Sequence, residues 1–343
     1  MRAAVYYRNS FVRIEERPVP EIGPGELLVR ISASGICGSD VMEWYRVRKA
    51  PIVLGHEVSG VVERAGEGVT AFSPGDRVVV SHHVPCMTCA LCRDGKHTLC
   101  DTLRSTSFDP GGFCEYVRVP ALQTRIGTFR LPDALSFEEG TFVEPLACVL
   151  RGMRIAGMRE GRSVVVLGSG LSGLLHVKAA RMLGASFVAT TDVDEGRLAA
   201  AMRFGADAAW SARDDVPGLL RAALGGKGAD LVFVTTAALP AYAQAVRCFA
   251  RGGVLVMFGL PDPGAVAPFP IHDLWMEGVT ITSTYAGAPD DFRAAIEALA
   301  SRRITVTDMI SHRLPLEEAQ KGFELVAGAK GALKVILFPN GVP

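Results

Sequence analysis

The stretch that decides the fold reads Gly168-Ser169-Gly170-Leu171-Ser172-Gly173. An apolar run, 163–167, precedes it, and a helix-like run, 171–183, begins inside it. Glycines at positions 168, 170 and 173 would allow a tight turn, a close approach of the backbone to a pyrophosphate and close helix packing. The first N–H groups of the helix and its positive dipole end would hold the phosphates. The stretch therefore predicts a strand–turn–helix unit that binds a dinucleotide.

An acidic residue stands where such a unit needs one. Asp192 ends the next predicted strand, 24 residues after Gly168, and its carboxylate could accept hydrogen bonds from the ribose hydroxyls. The same carboxylate would repel a 2′-phosphate, which favours NAD over NADP. Arg197 is the counterargument, because an arginine nearby could accept that phosphate. The alternative is an ordinary glycine-rich turn with a surface aspartate.

Around this motif, predicted strands and helices alternate. The strands cover 163–167, 187–191, 230–235, 254–258 and 280–284, and the helices cover 171–183, 195–204 and 240–251. Continuous apolar strands between helices imply a parallel sheet covered on both faces. The pattern predicts an α/β, doubly wound parallel sheet domain over residues 151–285.

The first 120 residues follow a different pattern. Short strands such as 27–31, 58–63 and 77–80 are separated by Gly and Pro, which predicts an irregular β-barrel-like domain. After residue 285 a helix near 291–301 and a last strand, 334–338, remain. The pattern alone does not decide which domain this tail joins.

The composition narrows the class of protein. A chain of 343 residues predicts two domains, and 36 basic against 36 acidic residues argue against nucleic acid or an anionic membrane as the main partner. We see no secretory signal and no apolar run of about 18 residues, so the expected location is the cytoplasm. Eight cysteines in a reducing compartment suggest metal binding.

Four of the cysteines form a tight cluster, Cys86-x2-Cys89-x2-Cys92-x7-Cys100. Four thiolates on one short loop, 86–100, suit a closed tetrahedral zinc site with a structural role. An iron–sulfur cluster is one alternative, although the bacterial ferredoxin run has its fourth Cys after three residues. Two disulfides are the other, disfavoured by the short spacings and the compartment.

A second set of metal-ligand types is scattered along the chain. Cys37, His56 and Glu144 suffice for a three-ligand catalytic zinc with an open fourth position. Taken singly, each is more commonly a buried thiol, a satisfied imidazole or a surface carboxylate. The six histidines other than His56 have no ligand-like context.

The residues around these positions resemble the zinc-containing alcohol dehydrogenases of the medium-chain dehydrogenase/reductase superfamily. The resemblance covers essentially the whole chain, and Glu144-Pro145-Leu146 resembles the sorbitol (polyol) and threonine dehydrogenase branches. It is carried by the cysteine spacing, the glycine motif, Gly35-Ile36-Cys37-Gly38-Ser39-Asp40, Gly55-His56-Glu57-x2-Gly60-x5-Gly66-x2-Val69 and Pro74-Gly75-Asp76-Arg77-Val78.

The resemblance implies roles for residues near the catalytic zinc. Cys37 and His56 would bind the metal, Glu57 would approach it during ligand exchange, and Glu144 would be the third ligand, directly or through water; Cys148 is the alternative third ligand. Two further residues would assist: Asp40 would orient the ring of His56, and Ser39 would relay the proton of the alcohol.

The resemblance also implies the cofactors and the assembly. NAD would contact Ser172, Asp192, Arg197, Phe258, Gly259, Leu260, Thr284 and Tyr285. Residues 1–150 and 286–343 would form a GroES-like catalytic domain, and residues 151–285 a Rossmann domain. The expected protein is a homodimer or homotetramer with two zinc ions per chain, and it moves a hydride between a secondary alcohol (a polyol, cyclitol, amino-alcohol or diol) and NAD.

The chain departs from the family pattern in two places. Met42 stands where relatives often carry a proton-relaying His, and the Arg-Tyr pair of sorbitol dehydrogenases is absent from the region 280–284. The second departure argues against a strict sorbitol enzyme. Two alternatives stay open: a zinc-free quinone or enone reductase of the same fold, and a noncatalytic nucleotide-binding regulator.

Overall fold

The computed structural model describes residues 1–329 and 331–342. The chain forms two compact units, one of Met1–Ala147 with Ala286–Pro343 and one of Cys148–Tyr285. The first boundary lies three residues before the one expected from the sequence, inside a continuous helix, Val143–Ile155. A helix that runs through a boundary leaves no break in the sequence pattern, so the pattern could not locate it.

The elements below are numbered in chain order. The strands are β1 (Arg2–Arg8), β2 (Phe11–Glu16), β3 (Leu27–Ile36), β4 (Ile52–Val53), β5 (Glu57–Ala65), β6 (Arg77–Val80), β7 (Tyr116–Val119), β8 (Thr128–Arg130), β9 (Ser163–Leu167), β10 (Phe187–Asp192), β11 (Ala208–Ser211), β12 (Ala229–Val234), β13 (Phe249–Met257), β14 (Thr280–Ser283), β15 (Ile310–Pro315) and β16 (Lys334–Phe338). The helices are α1 (Glu43–Arg46), α2 (Ala90–Arg93), α3 (Asp101–Ser105), α4 (Ala121–Ile126), α5 (Phe137–Gly140), α6 (Val143–Ile155), α7 (Leu171–Met182), α8 (Glu195–Arg203), α9 (Val216–Ala223), α10 (Leu239–Ala245), α11 (Ile271–Met276), α12 (Pro289–Ala300) and α13 (Ala319–Gly328). Short 3₁₀ helices occupy Gly38–Val41, Val47–Lys49, His97–Leu99, Thr307–Met309 and Leu316–Glu318.

The first unit is built around a seven-stranded sheet. Its order is β15-β16-β3-β5-β6-β8, with β7 also pairing with β3, and a three-stranded sheet β2-β1-β4 accompanies it. Strand β3 pairs antiparallel with β5, β7 and β16. Because β16 pairs with β3, the tail after residue 285 belongs to this unit. One apolar core, which includes Val29, Val58 and Val335, lies beneath these strands.

The second unit is a six-stranded parallel sheet. Its order is β11-β10-β9-β12-β13-β14, so the direction of winding reverses between β9 and β12. Every residue of β9 is buried, as expected for the centre of a parallel sheet. Ligands of such sheets bind beyond the carboxyl ends of the strands, at the point of reversal. Gly168, the first glycine of the motif, directly follows β9 at this point.

The predicted helix 240–251 is wrong in its second half. Helix α10 ends at Ala245, and β13 begins at Phe249, where it pairs with Ala229 of β12. The hydrogen bonds of an adjacent strand overrode the helix-like local pattern. Five strands and α-helices after residue 160 were not predicted, β11, α9, α11, β15 and α13; β11, for example, is half-buried throughout.

One buried histidine lies in the second unit. His176 on α7 has no exposed surface, and its Nδ1 donates to the carbonyl oxygen of Ser172 at 2.7 Å. Its ring packs against Phe233 and Phe258. Burial lowers the pKa of His176 from 6.5 to about 4. The imidazole is therefore neutral in the folded protein at neutral pH.

This pKa shift predicts a loss of stability in acid. Between pH 6.5 and about 4 the unfolded chain binds a proton at His176 that the folded chain does not, so stability is present above pH 6.5 and falls as the pH falls. We expect His176 to account for about 2 kcal/mol of the unfolding free energy lost between pH 7.5 and pH 5. Urea unfolding of His176→Asn, whose amide can replace the Nδ1 donor, should show a correspondingly smaller loss. An unchanged pH dependence in the variant would contradict this assignment.

Candidate metal centres and cofactor site

The strand register brings three potential metal ligands together. Cys37 follows β3, His56 precedes β5, and the antiparallel pairing sets Gly35 opposite Glu57. One ligand atom from each of Cys37, His56 and Glu57 lies within 4.8 Å of the others. A thiolate, an imidazole and a carboxylate in such a cluster form a donor set that zinc accepts.

The other predicted third ligands are Glu144 and Cys148. Glu144 is buried in the first turn of α6, and within the described residues it is not part of the group that surrounds Cys37. Cys148, the alternative, belongs to the second unit. Glu57, which the family resemblance gave a transient role, is the carboxylate that lies with Cys37 and His56. Direct ligation by Glu144 stays a prediction.

Asp40 holds the imidazole of the cluster. Its carboxylate is fully buried; Oδ1 lies 3.3 Å from His56 Nδ1, and Oδ2 accepts the backbone N–H of Cys37 at 3.0 Å. Burial opposes charge on both groups, yet their attraction lowers the pKa of Asp40 and raises the pKa of His56 well above 6.5, with Cys37 adding to the latter. With Nδ1 held by Asp40, Nε2 of His56 is the nitrogen left for a metal.

Glu57 is anchored by a lysine that sequence reasoning missed. Lys334, the first residue of β16, is fully buried; its Nζ lies 2.5 Å from Glu57 Oε2 and donates to the carbonyl oxygen of Thr141 at 3.2 Å. Oε1 of Glu57 is buried and, among the described atoms, has no hydrogen-bond partner. A side chain at Gly35 would overlap both Glu57 and Lys334. A lysine that begins a predicted strand carries no signal for such a pair.

Two further histidines lie beside the cluster, although the sequence gave them no role. The ring of His82 is 4.7 Å from the ring of His56 and 3.8 Å from that of His83. Burial, followed by the neighbouring imidazoles, lowers the pKa of His82 well below 6.5, and burial lowers the pKa of His83 to about 4. Both residues follow the predicted strand 77–80, and the consecutive imidazoles at its end were the available signal.

The four-cysteine loop also forms a compact cluster. Cys86, Cys89, Cys92 and Cys100 each offer a sulfur within 4.8 Å of the other three. Three Sγ–Sγ distances are 3.6, 3.8 and 4.0 Å. A tetrahedral site with Zn–S bonds near 2.3 Å requires sulfurs about 3.8 Å apart. Hydrogen bonds from Thr88 and Cys89 lower the pKa of Cys86 to about 5, whereas burial raises the pKa of Cys92 to about 12.

The predicted cofactor residues gather at the carboxyl ends of the parallel strands. Gly168 adopts φ +106°, which favours glycine, and a side chain at Gly173 would overlap the carbonyl oxygen of Gly168. Gly170 caps α7 and has open space where a side chain would begin. The segments Phe258–Leu260 and Thr284–Tyr285 follow β13 and β14 at the same sheet edge. The structure thus brings the glycine turn and the other segments predicted to line the NAD site to one edge of the sheet.

Asp192 is almost fully buried at the end of β10. Oδ2 accepts the N–H of Ser169 at 2.8 Å, and Oδ1 accepts the N–H groups of Val193 and Asp194 at 2.8 and 3.1 Å. Nη1 of Arg197 lies 3.8 Å from Oδ2. The aspartate therefore also ties the glycine-rich turn to the next strand, a structural role that the sequence did not reveal.

Known proteins match both halves of this chain. Residues 23–133 match the alcohol dehydrogenase GroES-like domain family, and residues 173–301 match the zinc-binding dehydrogenase family. Sorbitol dehydrogenase from Gallus gallus is 36% identical over 98% of this chain and 95% of its own length. The alcohol dehydrogenase TADH from Thermus sp. ATN1 superposes with a TM-score of 0.89 at 32% identity, covering 98% of this chain and 99% of that one.

A third relative carries a bound cofactor. A zinc-binding dehydrogenase from Sinorhizobium meliloti 1021, solved bound to NADP, has a TM-score of 0.88 and 30% identity, and the match covers 98% of this chain and 99% of that one.

These matches define the class of protein as a two-domain oxidoreductase, with a GroES-like unit and a Rossmann unit, that acts on CH–OH groups. The chain belongs to the zinc-containing alcohol dehydrogenase family of the medium-chain dehydrogenase/reductase superfamily, in its polyol branch. The predicted fold class is confirmed, and so is zinc-dependent oxidoreduction of alcohols. No helix within residues 1–329 and 331–342 has both the length and the apolar character needed to cross a bilayer.

Proposed function

We propose that this protein transfers a hydride between the carbinol carbon of a secondary alcohol, of the polyol, cyclitol, amino-alcohol or diol type, and NAD. The observation that carries the proposal is the cluster of Cys37, His56 and Glu57, whose ligand atoms lie within 4.8 Å of one another. A zinc-free reductase has no use for this donor set, and neither has a noncatalytic nucleotide-binding regulator.

Each residue of this centre has a distinct task in the proposal. A zinc ion supplies a Lewis acid that makes the alcohol easier to deprotonate. Cys37 and His56 hold the metal, Glu57 or Glu144 completes the ligand set, and Asp40 fixes the ring of His56. Ser39 accepts the proton that the alcohol releases. Because the hydride chemistry belongs to the cofactor, the protein contributes placement and electrostatics.

NAD rather than NADP is the proposed cofactor. Asp192 is a buried carboxylate at the position expected for ribose recognition, and a 2′-phosphate beside it would meet a negative charge. The relative bound to NADP and the nearby Arg197 are the arguments on the other side. The phosphates would lie on the turn of Gly168, Gly170, Ser172 and Gly173, which has open space at Gly170.

The loop 86–100 is proposed to hold a second, structural zinc. Its four sulfurs have the spacing of a tetrahedral site, which leaves no position for substrate. The proposed location is the cytoplasm, a reducing compartment in which disulfides are rare and cysteines stay available for a metal.

The proposal is tested by metal analysis together with turnover. We expect two zinc ions per chain, NADH formation with secondary alcohols and polyols, loss of activity on removal of the more labile zinc, and recovery on adding zinc back. A zinc-free reductase would keep its activity after chelation, and a regulator would oxidise nothing. A clear preference for NADP would contradict the role proposed for Asp192 but not the proposed hydride transfer.

We also propose that the protein is a homo-oligomer that pairs through β14. This strand is an edge of the six-stranded sheet, and none of its residues, Thr280–Ser283, is charged. Large exposed apolar side chains of the described chain are frequent in the segment that leads into it, among them Ile271, Trp275 and Met276. An unprotected edge strand next to exposed apolar surface is a template for pairing. Strand β14 of a second copy, antiparallel to the first and related to it by a twofold axis, pairs with the free backbone groups of this edge.

A charge placed on this edge should break the assembly. Ile281→Asp puts a carboxylate at the centre of β14 in both copies, and we expect the protein to elute at a lower mass in size-exclusion chromatography with light scattering. Met202→Asp changes an exposed apolar residue on α8, which packs against β10 and β11, and should leave the mass unchanged. If the Ile281 variant kept the wild-type mass, β14 would not be the interface.

A further inference from the structure

Arg46, the last residue of α1, turns back onto the loop that follows β3. Its Nε donates to the backbone carbonyl of Ser39 at 2.9 Å, and its Nη2 donates to Ser39 Oγ at 3.2 Å. The same Nη2 lies 3.5 Å from Asp40 Oδ1. Only 14% of the Arg46 side chain is exposed, so one guanidinium bridges two residues of the centre.

A tyrosine holds this guanidinium in place. The Arg46 guanidinium carbon lies 4.8 Å from the ring centroid of Tyr45, and Nζ of Lys49 lies at the same distance from that ring. Nζ of Lys49 is also 3.3 Å from the hydroxyl of Tyr45. Cation–π contacts of this kind favour one orientation of the arginine plane.

We propose that Arg46 is a positioning residue of the catalytic centre, which fixes the hydroxyl of Ser39 and the carboxylate of Asp40 and, through Asp40, the ring of His56. The inference rests on the proposed function, because Ser39 and His56 have catalytic tasks only within it.

The first task of Arg46 concerns the path of the proton. A guanidinium carries only donors and stays protonated, so it accepts no proton. By donating to Ser39 Oγ, Arg46 occupies one lone pair of that oxygen and leaves the other to accept the proton of the alcohol. When the alcohol transfers its proton to Ser39 Oγ, the hydroxyl proton that Ser39 carried before passes to a water molecule. Arg46 neither gains nor loses a proton. Met42 offers no other acceptor beside this loop.

The second task concerns charge. An imidazole that binds a metal is neutral, so Asp40 then keeps a full negative charge in a position with no solvent exposure. Among the described side chains, the ion pairs of Asp40 are with His56 and Arg46. Arg46 is therefore the permanent cation that compensates this buried charge. Without it, the buried carboxylate of Asp40 loses a permanent cation and is held by the backbone N–H of Cys37 and the ring of His56.

The test compares Arg46→Ala and Arg46→Lys with Arg48→Ala, a change of an exposed arginine in the same segment. Zinc affinity is measured by competition with a chromophoric chelator, which requires no turnover. Changes to groups that orient metal ligands typically cost about 10–100-fold in metal affinity or activity. We expect losses of about 10-fold in zinc affinity and about 10–100-fold in kcat for Arg46→Ala, with KM for the alcohol within about 3-fold.

Added guanidinium ion should restore part of the kcat of Arg46→Ala, whereas sodium chloride at equal ionic strength should not. A merely structural role would show no such rescue. If Arg46→Ala does not fold, Arg46→Lys provides the test. Lysine keeps the charge but loses the bidentate geometry, so the zinc affinity and kcat of this variant should lie below those of wild type and above those expected for Arg46→Ala. Wild-type zinc affinity and kcat in the Arg46 variants would overturn the inference. If the zinc-loaded wild type oxidised no alcohol, the proposed function would fail. The zinc affinities of the variants would still test whether Arg46 positions Asp40 and His56.

Discussion

Replacing Cys37 by serine is expected to lower kcat/KM for alcohol oxidation by at least about a thousandfold, equivalent to about 4 kcal/mol of transition-state stabilisation. A thiolate is the softest ligand of the Cys37, His56 and Glu57 cluster, and a serine hydroxyl stays protonated at neutral pH. With one ligand lost, the centre binds zinc weakly and in a different geometry. The affinity for NAD should be unchanged, because the predicted NAD residues lie on other elements.

The experiment follows zinc content, NADH formation and NAD affinity in the same preparation. Cys114→Ser is the matched control, since this buried thiol lies in the same unit. Its Sγ lies 2.9 and 3.0 Å from the carbonyl oxygens of Gly111 and Tyr116, and a serine hydroxyl can likewise donate its one proton there. The control should keep both zinc ions and near-normal turnover. Turnover by Cys37→Ser at a comparable rate would remove the metal role from Cys37.

Replacing Lys334 by methionine is expected to destabilise the protein by about 3–5 kcal/mol, the usual cost of removing one partner of a buried ion pair. Lys334 and Glu57 have no exposed side-chain surface, and Nζ lies 2.5 Å from Oε2. Among the described atoms, Oε1 of Glu57 already has no hydrogen-bond partner. Removal of the ammonium takes the Lys334 donor from Oε2 as well. The carbonyl oxygen of Thr141 also loses its donor.

A double-variant cycle separates the ion pair from simple packing. The double variant Glu57→Gln/Lys334→Met removes both charges. It should recover a large part of the unfolding free energy lost in Lys334→Met, because the cost lies in the unpaired carboxylate. Urea unfolding of the four proteins gives the coupling energy. Additive effects of the two changes, or a loss below about 1 kcal/mol for Lys334→Met, would show that the contact contributes little.

The sequence predicted well wherever a function depends on local spacing. The glycine turn at 168–173 and the cysteine loop at 86–100 are each confined to a few residues, so chain distance implies closeness in space. Strands β6, β9 and β16 were predicted with the bounds that the structure gives them. The prediction was wrong where pairing with a neighbouring strand determines the secondary structure. Strand β13 begins at Phe249, inside a predicted helix, because β12 supplies its hydrogen-bond partners.

The sequence by itself determined the alternation of strand and helix, the glycine turn, the thiol cluster and the residue types of a metal centre. Only the tertiary structure decided that the ligand atoms of Glu57, Cys37 and His56 lie within 4.8 Å of one another, and that Lys334 and Arg46 hold their neighbours. Glu57 and Lys334 are 277 residues apart, and they meet because β3 pairs with both β5 and β16. Strand pairing between distant segments depends on the whole sheet, and no local pattern encodes it.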